Sequence, residues 1–538
     1  MSVPRWKLPV ELSKREERVM RRLTRTGKLF AFLRQQRHAI FDDAFQDELA
    51  SVYRDTGEGK APIAPALLAM VTVVQAYTGV SDAEAVERAA FDARWQMVLG
   101  VLGDEEPPFS QGTLATFRER LIKHDLDRRL LERTIEFARS SKGFDSKKLP
   151  KALRLAVDSR PLSGAGRVED TVNLLGRAGR HLLVCAAAIA GVKPEKLADR
   201  LKAGLLLESS IKAALDVDWT DPEQKADAMR ELLAAIAALE AYVRQKLAGR
   251  ALEPPLADHL ALLARLREQN LEPEPPDGGD GGGGGGPEVR EEVAKDRTIS
   301  LSDPDMRHGR KSKSRAFNGF KSHLATDLDR NLVLACAVLP ANRPEREGFD
   351  AMREDLKRVV ESPILELHAD RAYTDATLTH KLAVAGTEVL TKPRSVGGRP
   401  GLYDRNDFRV DLKKKTATCP AGQTVAITLG EAAVFDGDRC TQCPQRAACT
   451  DARPGKGRTL RIPADELTQR RFAKLAGTST GRARLRERVA IEHTLARHAA
   501  VQGTKARYRG VRKNMFDARR TASVLNLECA HRSVANAA

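Results

Sequence analysis

Two short apolar runs that each lead into an aspartate constrain the fold of this chain more than any other feature. They read RLAVDS, which reaches Asp158, and LELHADRAY, which reaches Asp370. Short apolar runs of this kind are typical of strands buried within a sheet. If the two strands are neighbours, their carboxyl ends bring both carboxylates to one edge, where α/β folds usually place their sites. For either aspartate alone, a role in capping a turn is the alternative.

Further strand-like runs extend this pair into a larger α/β sheet. GFKSHLATD and LVLACAVLP flank the turn-prone residues 328–331, which predicts a hairpin over 319–339. TEVLTKP supplies a fifth strand after a helical stretch at 345–360. Five strands with flanking helices suffice for a nuclease-type sheet.

The N-terminal region has helical rather than strand periodicity. Apolar spacing predicts helices near 18–35, 65–77 and 82–101, and Ser110 has the residue type of an N-cap for a further helix. Basic side chains on that last helix fit phosphate contacts, and an ordinary packed amphipathic helix fits equally well. We therefore predict an all-α domain over 1–145.

A second helical region is predicted between the two aspartates, as an insertion over 200–270. Asp221 and Pro222 have the residue types that open a helix, and apolar spacing from Leu256 predicts a second one. The insertion can serve assembly of two chains or form a hairpin within one chain. The glycine-rich stretch within 271–296 is predicted to be a flexible linker, because no strand precedes it and no Lys-Ser/Thr pair follows it.

The charge of the chain favours a polyanionic partner. The net charge is +17, and the excess of Lys and Arg concentrates in residues 481–520. A solvated charged helix is the alternative interpretation of that segment. The candidate DNA-binding residues are Arg310, Lys311, Lys313, Arg315, Lys321, Arg488, Lys505, Arg507 and Arg509.

The chain has no sequence feature that predicts a membrane or an exported location. No apolar run approaches the roughly 20 residues that span a bilayer, and the charged N-terminus does not resemble an export signal. We therefore predict a cytoplasmic chain with no membrane partner.

Four of the seven cysteines fall close together in the sequence. Without an export signal a disulfide framework is not expected. The cluster contains a C-x2-C pair, and four thiolates can complete a closed tetrahedral Zn²⁺ site. We predict a structural zinc site in a cysteine-rich insertion over 399–471, with four packed reduced thiols as the alternative. Its ligands are Cys419, Cys440, Cys443 and Cys449.

A third acid, Glu492, lies in the helical stretch RARLRERVAIEHTLARHAA. Leu485, Val489 and Ala496 share its predicted helical face, so we expect the acid to point inward. A surface pair with Arg488 is the alternative, but base before acid is the weaker order and such pairs contribute only ~0.3 to 0.5 kcal/mol. Together with the two aspartates, Glu492 predicts three oxygen ligands for two Mg²⁺ ions.

Five segments, in order, resemble the DDE-type transposases of bacterial insertion sequences. They are AVDSRPLSGAGRVEDTVNLL, ISLSDPDMRHGRKSKSRAFNGFKSHLATD, ELHADRAYTDA, RERVAIEHTLARHAAVQGTKARYRG and ASVLNLECA. The resemblance covers nearly the whole chain. It implies that the helical region 1–145 is the DNA-binding domain. It also implies a ribonuclease H-like mixed sheet with flanking helices over 150–398 and 472–530. It also implies that Asp158, Asp370 and Glu492 form a triad that binds Mg²⁺ or Mn²⁺, and that the zinc module lies on the DNA side.

The same resemblance implies the activity. It is that of a DNA transposase that binds double-stranded transposon ends and target and catalyses metal-dependent cleavage and strand transfer. Because two ends must be paired, we expect a homodimer. A ribonuclease H-like nuclease or recombinase, and an inactive DNA-binding transposase derivative, are the alternatives. Many relatives carry Tyr-x2-Arg-x3-Glu-x6-Lys around the third acid; here Leu485 and Ala499 replace the Tyr and Lys, so their DNA contacts have no counterpart.

Overall fold

The computed structural model describes residues 3–24, 27–53, 61–141, 152–272, 289–290, 292–312, 314–360, 363–394 and 399–537. Most of the predicted linker 271–296 therefore lies outside the described residues, as does Lys313.

The N-terminal region is helical, as predicted, but two predicted helices are each divided. The run at 18–35 belongs to two helices, and so does the run at 82–101. The second break occurs at Asp92, whose backbone is extended (φ −95°, ψ 108°) and whose carboxylate accepts the backbone N–H of Arg94. Ser110 caps the next helix, as predicted, by accepting from the backbone N–H of Thr113. The helices are α1 (Lys14–Arg21), α2 (Lys28–Ile40), α3 (Asp43–Ala50), α4 (Pro65–Thr78), α5 (Asp82–Phe91), α6 (Ala93–Leu99), α7 (Gln111–Lys123) and α8 (Leu126–Ser140).

A second helical group follows strand β1 (Leu153–Ser163) and begins earlier than predicted. It starts at Thr171, after Asp170, whose side chain accepts from the backbone N–H groups of Val172 and Asn173. The helix expected at Asp221 and Pro222 is present. The helices are α9 (Thr171–Ile189), α10 (Pro194–Leu201), α11 (Ile211–Leu215), α12 (Pro222–Lys246) and α13 (Leu256–Asn270). Their buried side chains form an apolar cluster of their own.

The central sheet has six strands and mixed pairing. Strand β3 pairs antiparallel with β1, β2 and β4, whereas β5 pairs parallel with β1, and β6 parallel with β5. This mixed α/β arrangement is consistent with a ribonuclease H-like fold. The added elements are β2 (Arg307–Arg310), β3 (Ala316–Asp327), β4 (Val333–Pro340), α14 (Glu345–Val359), β5 (Ile364–Ala369), α15 (Ala376–Val384) and β6 (Glu388–Leu390).

The five predicted strands are all present, and the sixth is the short polar strand β2. Its sequence RHGR lacks the apolar pattern that indicates a buried strand. The predicted hairpin is confirmed, with Asn331 in the left-handed region (φ 56°) at its turn. The predicted helix at 345–360 is α14, and Gly348 allows its close approach to the sheet. A Cβ on Gly348 would lie 2.2 Å from His323 Nδ1.

The cysteine-rich segment has two small sheets. They contain β7 to β9 and β10 to β11, and they enclose a third apolar cluster that includes Phe408, Phe435 and Ile462. The elements are β7 (Arg409–Asp411), β8 (Thr416–Thr418), β9 (Thr424–Ala426), β10 (Ala432–Val434), α16 (Gly437–Thr441), α17 (Arg446–Cys449) and β11 (Thr459–Arg461).

Four helices complete the chain and join its two ends into one core. Buried side chains of the N-terminal helices, the central sheet and the last helix belong to a single apolar cluster. Leu33, Leu131, Leu155, Leu334 and Leu525 are members of it. The N-terminal helices therefore share their core with the sheet. The final helices are α18 (Glu466–Gly477), α19 (Ser479–Arg486), α20 (Val489–Gln502) and α21 (Val511–Ala537).

None of the described helices is by itself long and apolar enough to cross a membrane. Two bent pairs of helices, α4 with α5 and α9 with α10, have sufficient length and apolar composition only when the two members are taken together.

Candidate active site

Asp158 and Asp370 come directly after the stretch over which strands β1 and β5 pair in parallel. The register between β1 and β5 ends with Val157 opposite Ala369, so the next residue on each strand is an aspartate. The predicted strand neighbourhood is confirmed. Strand β1 does not end at Asp158, however, because its pairing with β3 continues to Ser163. Because β5 stops at Ala369, the pairing of β1 with β5 ends just before Asp158.

Glu492 lies in the first turn of α20, which packs against β1. The prediction that Glu492 points inward is wrong. The buried face carries Ile491, Leu495 and His498, whereas the Glu492 side chain is 50% exposed. Val489, Glu492 and Ala496 do share one face of α20, but that face is exposed, because the neighbouring face with Ile491, Leu495 and His498 is the one that packs against the protein. Glu492 therefore lies at the margin of the helix interface.

Arg488 links the first and third acids. Its Nη1 donates to Asp158 Oδ2 at 2.7 Å, and its Nη2 donates to Glu492 Oε1 at 2.7 Å. The surface pair considered from the sequence is thus present, and the same guanidinium also reaches the strand aspartate. One cation spans two of the three acids.

The electrostatics around Asp158 favour an additional cation. Burial raises the pKa of Asp158; the backbone N–H of Ser159 and the Arg488 guanidinium oppose this, and the charges of Asp370 and Glu492 reinforce it. The pKa remains raised even beside an arginine. A divalent ion would compensate the clustered negative charge, and three carboxylates provide the hard oxygen donors that Mg²⁺ and Mn²⁺ prefer.

A different group of donors is the most tightly clustered one among the residues that the structure describes. Ligand atoms of Glu366, His368 and Glu487 lie within 4.8 Å of one another. Two guanidinium groups already compensate this cluster: Arg154 Nε is 3.1 Å and Arg484 Nη2 is 2.8 Å from Glu366 oxygens. The cluster is therefore an ion-pair network that fastens α19 to the sheet, and the sequence patterns did not predict it.

A buried polar network lies beneath the two aspartates. Ser159 Oγ donates to Glu345 Oε2 at 2.7 Å, and Lys321 Nζ lies 3.1 Å from Glu345 Oε1. Tyr373 Oη and His323 Nδ1 are 2.6 Å apart. Burial raises the pKa of Tyr373 and lowers that of His323 to about 4, so both side chains are neutral at pH 7. Lys321, predicted as a DNA contact, belongs to this network.

The four clustered cysteines line one cavity. Its volume is about 410 Å³, and Cys419, Cys440, Cys443 and Cys449 all border it. Burial raises the pKa of Cys449; Arg458 opposes this, and the three other thiols reinforce it. A tetrahedral site with Zn–S of about 2.3 Å brings its sulfur atoms to within about 4 Å of each other. The donor set fits zinc. In this structure, no three of the four sulfur atoms all lie within 4.8 Å of one another.

Two family models match this chain. One, described as "Transposase DDE domain", matches residues 418–531, and the other, described as "Transposase domain (DUF772)", matches residues 20–120. These two matches support an insertion-sequence DDE transposase. The first match includes Glu492 and the four cysteines, whereas Asp158 and Asp370 lie outside both matches. No curated protein and no solved structure matches this chain.

The remaining basic residues predicted to contact DNA fall in two segments of the transposase. Three are exposed in and beside the turn between β2 and β3, and three are exposed between α20 and α21. One of them also stabilises the fold, since Arg507 donates to the carbonyl groups of Gly79 and Val80 after α4. The six are Arg310, Lys311, Arg315, Lys505, Arg507 and Arg509.

Proposed function

We propose that this transposase binds double-stranded transposon ends and catalyses metal-dependent cleavage and strand transfer with Asp158, Asp370 and Glu492. The observation that carries the proposal is the convergence of these acids. Two come directly after the parallel pairing of β1 with β5, and the third lies on a helix packed against β1. Arg488 joins the helix to that strand at the acids themselves.

We assign Mg²⁺ or Mn²⁺ to this triad. Bound there, two such ions would activate the attacking oxygen and stabilise the leaving one. Burial raises the pKa of Asp158, and the charges of Asp370 and Glu492 add to this effect. The clustering of these negative charges supports the assignment, because an added cation would be stabilised there.

The protein's own residues hold the acids in place. The backbone N–H of Ser159 donates to Asp158 Oδ1 at 2.8 Å, and that of Arg371 donates to Asp370 Oδ1 at 2.7 Å. Each bond restricts its carboxylate to a narrow range of orientations. The network of Glu345, Tyr373 and His323 bonds to Ser159, next to Asp158, and includes the residue three positions after Asp370, so the ligands need little reorganisation when ions and DNA bind.

We propose a division of labour among the regions. Residues 1–145 recognise DNA, 150–398 and 472–530 provide the catalytic fold, and 399–471 form a zinc-stabilised module. The helical insertion predicted at 200–270 is extended to begin at Thr171. The three separate apolar clusters support this division for the insertion and the cysteine module, while the N-terminal helices share the catalytic core.

The exposed basic residues are proposed to contact DNA phosphates on either side of the site. Two ends must be paired for transposition, so we propose that the active form is a homodimer. Because genomic DNA is the proposed substrate, we place the reaction in the bacterial cytoplasm.

The test is cleavage and strand transfer with Mg²⁺ on DNA that carries the flanking element ends. Asp158→Ala, Asp370→Ala and Glu492→Ala should each abolish both reactions and retain DNA binding. Glu354→Ala is the matched control, because this acid is exposed on α14 and pairs only with Lys357 among the described residues. It should retain both reactions.

Other outcomes separate the alternatives. Cleavage without strand transfer would indicate a ribonuclease H-like nuclease. Binding of the ends without either reaction in the parent chain would indicate an inactive derivative. Unchanged activity in one alanine variant would remove that acid from the triad.

A further inference from the structure

An open basic groove lies between α9 and the segment that connects α20 to α21. Its cavity has a volume of about 580 Å³. A neighbouring cavity of the same volume shares Arg177 and His181 with it and continues along α9. We call the first cavity the α9 groove. Its charged and titratable lining residues are Arg167, Arg177, His181, Lys505 and Arg509.

Most of the positive charge in the α9 groove lies outside close ion pairs. Arg177 pairs with Glu169 at 2.8 Å. Arg167, Lys505 and Arg509 are exposed, and none of them lies within ion-pair distance of a carboxylate among the residues that the structure describes. Glu169 and Asp303 interact with Arg167 and Arg509 only over a longer range. Several cations around one concave surface attract a ligand that carries several negative charges.

Strand β1 connects the α9 groove to the predicted triad. Lys505 forms a parallel bridge with Ser163 at the end of β1, and the backbone N–H of Ala506 donates to Ser163 O at 2.6 Å. Asp158 is five residues earlier on this strand. At about 3.3 Å per residue, the groove begins about 17 Å from Asp158.

Helix α20 gives a second, independent measure of this distance. It runs from Glu492 near its start to Gln502 at its end, just before Lys505. Ten residues at a rise of about 1.5 Å span about 15 Å. Both routes from the triad therefore lead to the groove over a similar length. Because successive phosphates of one DNA strand advance about 3.4 Å along the axis, this length corresponds to about five base pairs.

We propose that the α9 groove binds the phosphate backbone of a DNA duplex about five base pairs from the phosphate held at the triad. This inference rests on the proposed function and adds a second anchoring point to it. Two of the groove's arginines lie on or just before α9, in the helical region that follows β1. The helical region that follows β1 then contacts the DNA that is bound at the triad of its own chain. This contact is separate from any role of that region in pairing two chains.

The first test measures the salt dependence of binding to a fluorescein-labelled duplex that carries an element end. The double variant Arg167→Gln/Lys505→Gln should lower the slope of log K against log salt by about 2, since each lost phosphate contact removes about one unit. The control is Arg353→Gln/Arg358→Gln. These exposed residues lie near the end of α14. That helix leads into the start of β5, whereas Asp370 of the triad follows the end of β5.

A second test locates the contact along the DNA. Duplexes with uncharged methylphosphonates about four to six base pairs from the element terminus should bind the parent chain more weakly. The double variant should bind these modified duplexes and unmodified DNA with equal affinity. Thermal unfolding of each variant verifies that it is folded.

The outcomes distinguish this inference from the proposed function. An unchanged salt slope in the double variant, or an equal decrease in the α14 control, would overturn the α9 groove as a DNA site. If the parent chain cuts no DNA but the groove variant still loses its slope, the groove stands and the catalytic proposal fails. Asp158→Ala should leave the slope unchanged.

Discussion

Arg488 and Asp158 are joined by a 2.7 Å hydrogen bond, and the same guanidinium holds Glu492 at 2.7 Å. One side chain, from the residue just before α20, thus compensates part of the charge of two proposed metal ligands. A divalent ion at the triad would use the same carboxylate oxygens. Arginine and metal therefore compete for these atoms.

Arg488→Gln should strengthen Mg²⁺ binding in the absence of DNA. Removing a cation about 4 Å from two carboxylates at a partly exposed site is expected to favour metal by roughly 1 to 2 kcal/mol, or about tenfold in Kd. Isothermal titration calorimetry measures the change. Arg353→Gln on α14 is the control, and weaker Mg²⁺ binding by Arg488→Gln would show that the guanidinium aligns the acids instead of competing.

The cysteine cavity predicts about one zinc ion per purified chain. Cys440→Ser should lose the ion and lower the thermal stability of the protein, because a structural zinc contributes directly to folding. Metal analysis by mass spectrometry gives the stoichiometry. Cys185→Ser is the matched control, since this partly buried thiol lies on α9 outside the cluster. Zinc retained by Cys440→Ser at the parental level would contradict the assignment.

The paired strands could be predicted because their information is local. The apolar runs before Asp158 and Asp370 and the hairpin turn near Asn331 each lie within about ten residues. Pairing of the two aspartate strands then follows from the general placement of sites at the carboxyl ends of strands. The direction of Glu492 could not be obtained in this way, because it depends on which face of α20 packs against the rest of the protein.

Contacts between distant segments were also beyond the sequence patterns. Ser159 meets Glu345, and His323 meets Tyr373, through the folded sheet and not through any periodic spacing. The shared core also depends on contacts between distant segments, because α21 packs against α4 and α8 near the other end of the chain. Periodicity indicates which face of a helix is apolar but not which element will cover it.

Tyr373→Phe should destabilise the fold by about 1 to 3 kcal/mol, the usual cost of leaving a buried polar group unpaired. His323 is fully buried, and its Nε2 already has no hydrogen-bond partner among the described residues. Urea unfolding measures the loss. Tyr403→Phe is the control, because its hydroxyl lies 3.4 Å from Gln445 in the cysteine module. Equal stability of Tyr373→Phe and the parent chain would show that the hydroxyl contributes nothing to the network.

Glu366 should make the stability of the transposase depend on acid pH. Burial opposes its ionisation, but hydrogen bonds from His368, Arg154 and Arg484 outweigh burial and lower its pKa to about 2. An unfolded glutamate titrates near about 4.3. Because the folded pKa is lower, the stabilisation is present above about pH 4.3 and is lost as the pH falls toward about 2.

Glu366→Gln should therefore lower the free energy of unfolding at pH 7 by about 1 to 2 kcal/mol, after allowance for solvent screening of the ion pairs. The difference from the parent chain should narrow between about pH 4.3 and about pH 2. Urea titrations across this range measure it, with exposed Glu354→Gln as the control. If the difference stayed constant down to the lowest pH, packing of the Glu366 side chain, and not its charge, would hold α19 against the sheet.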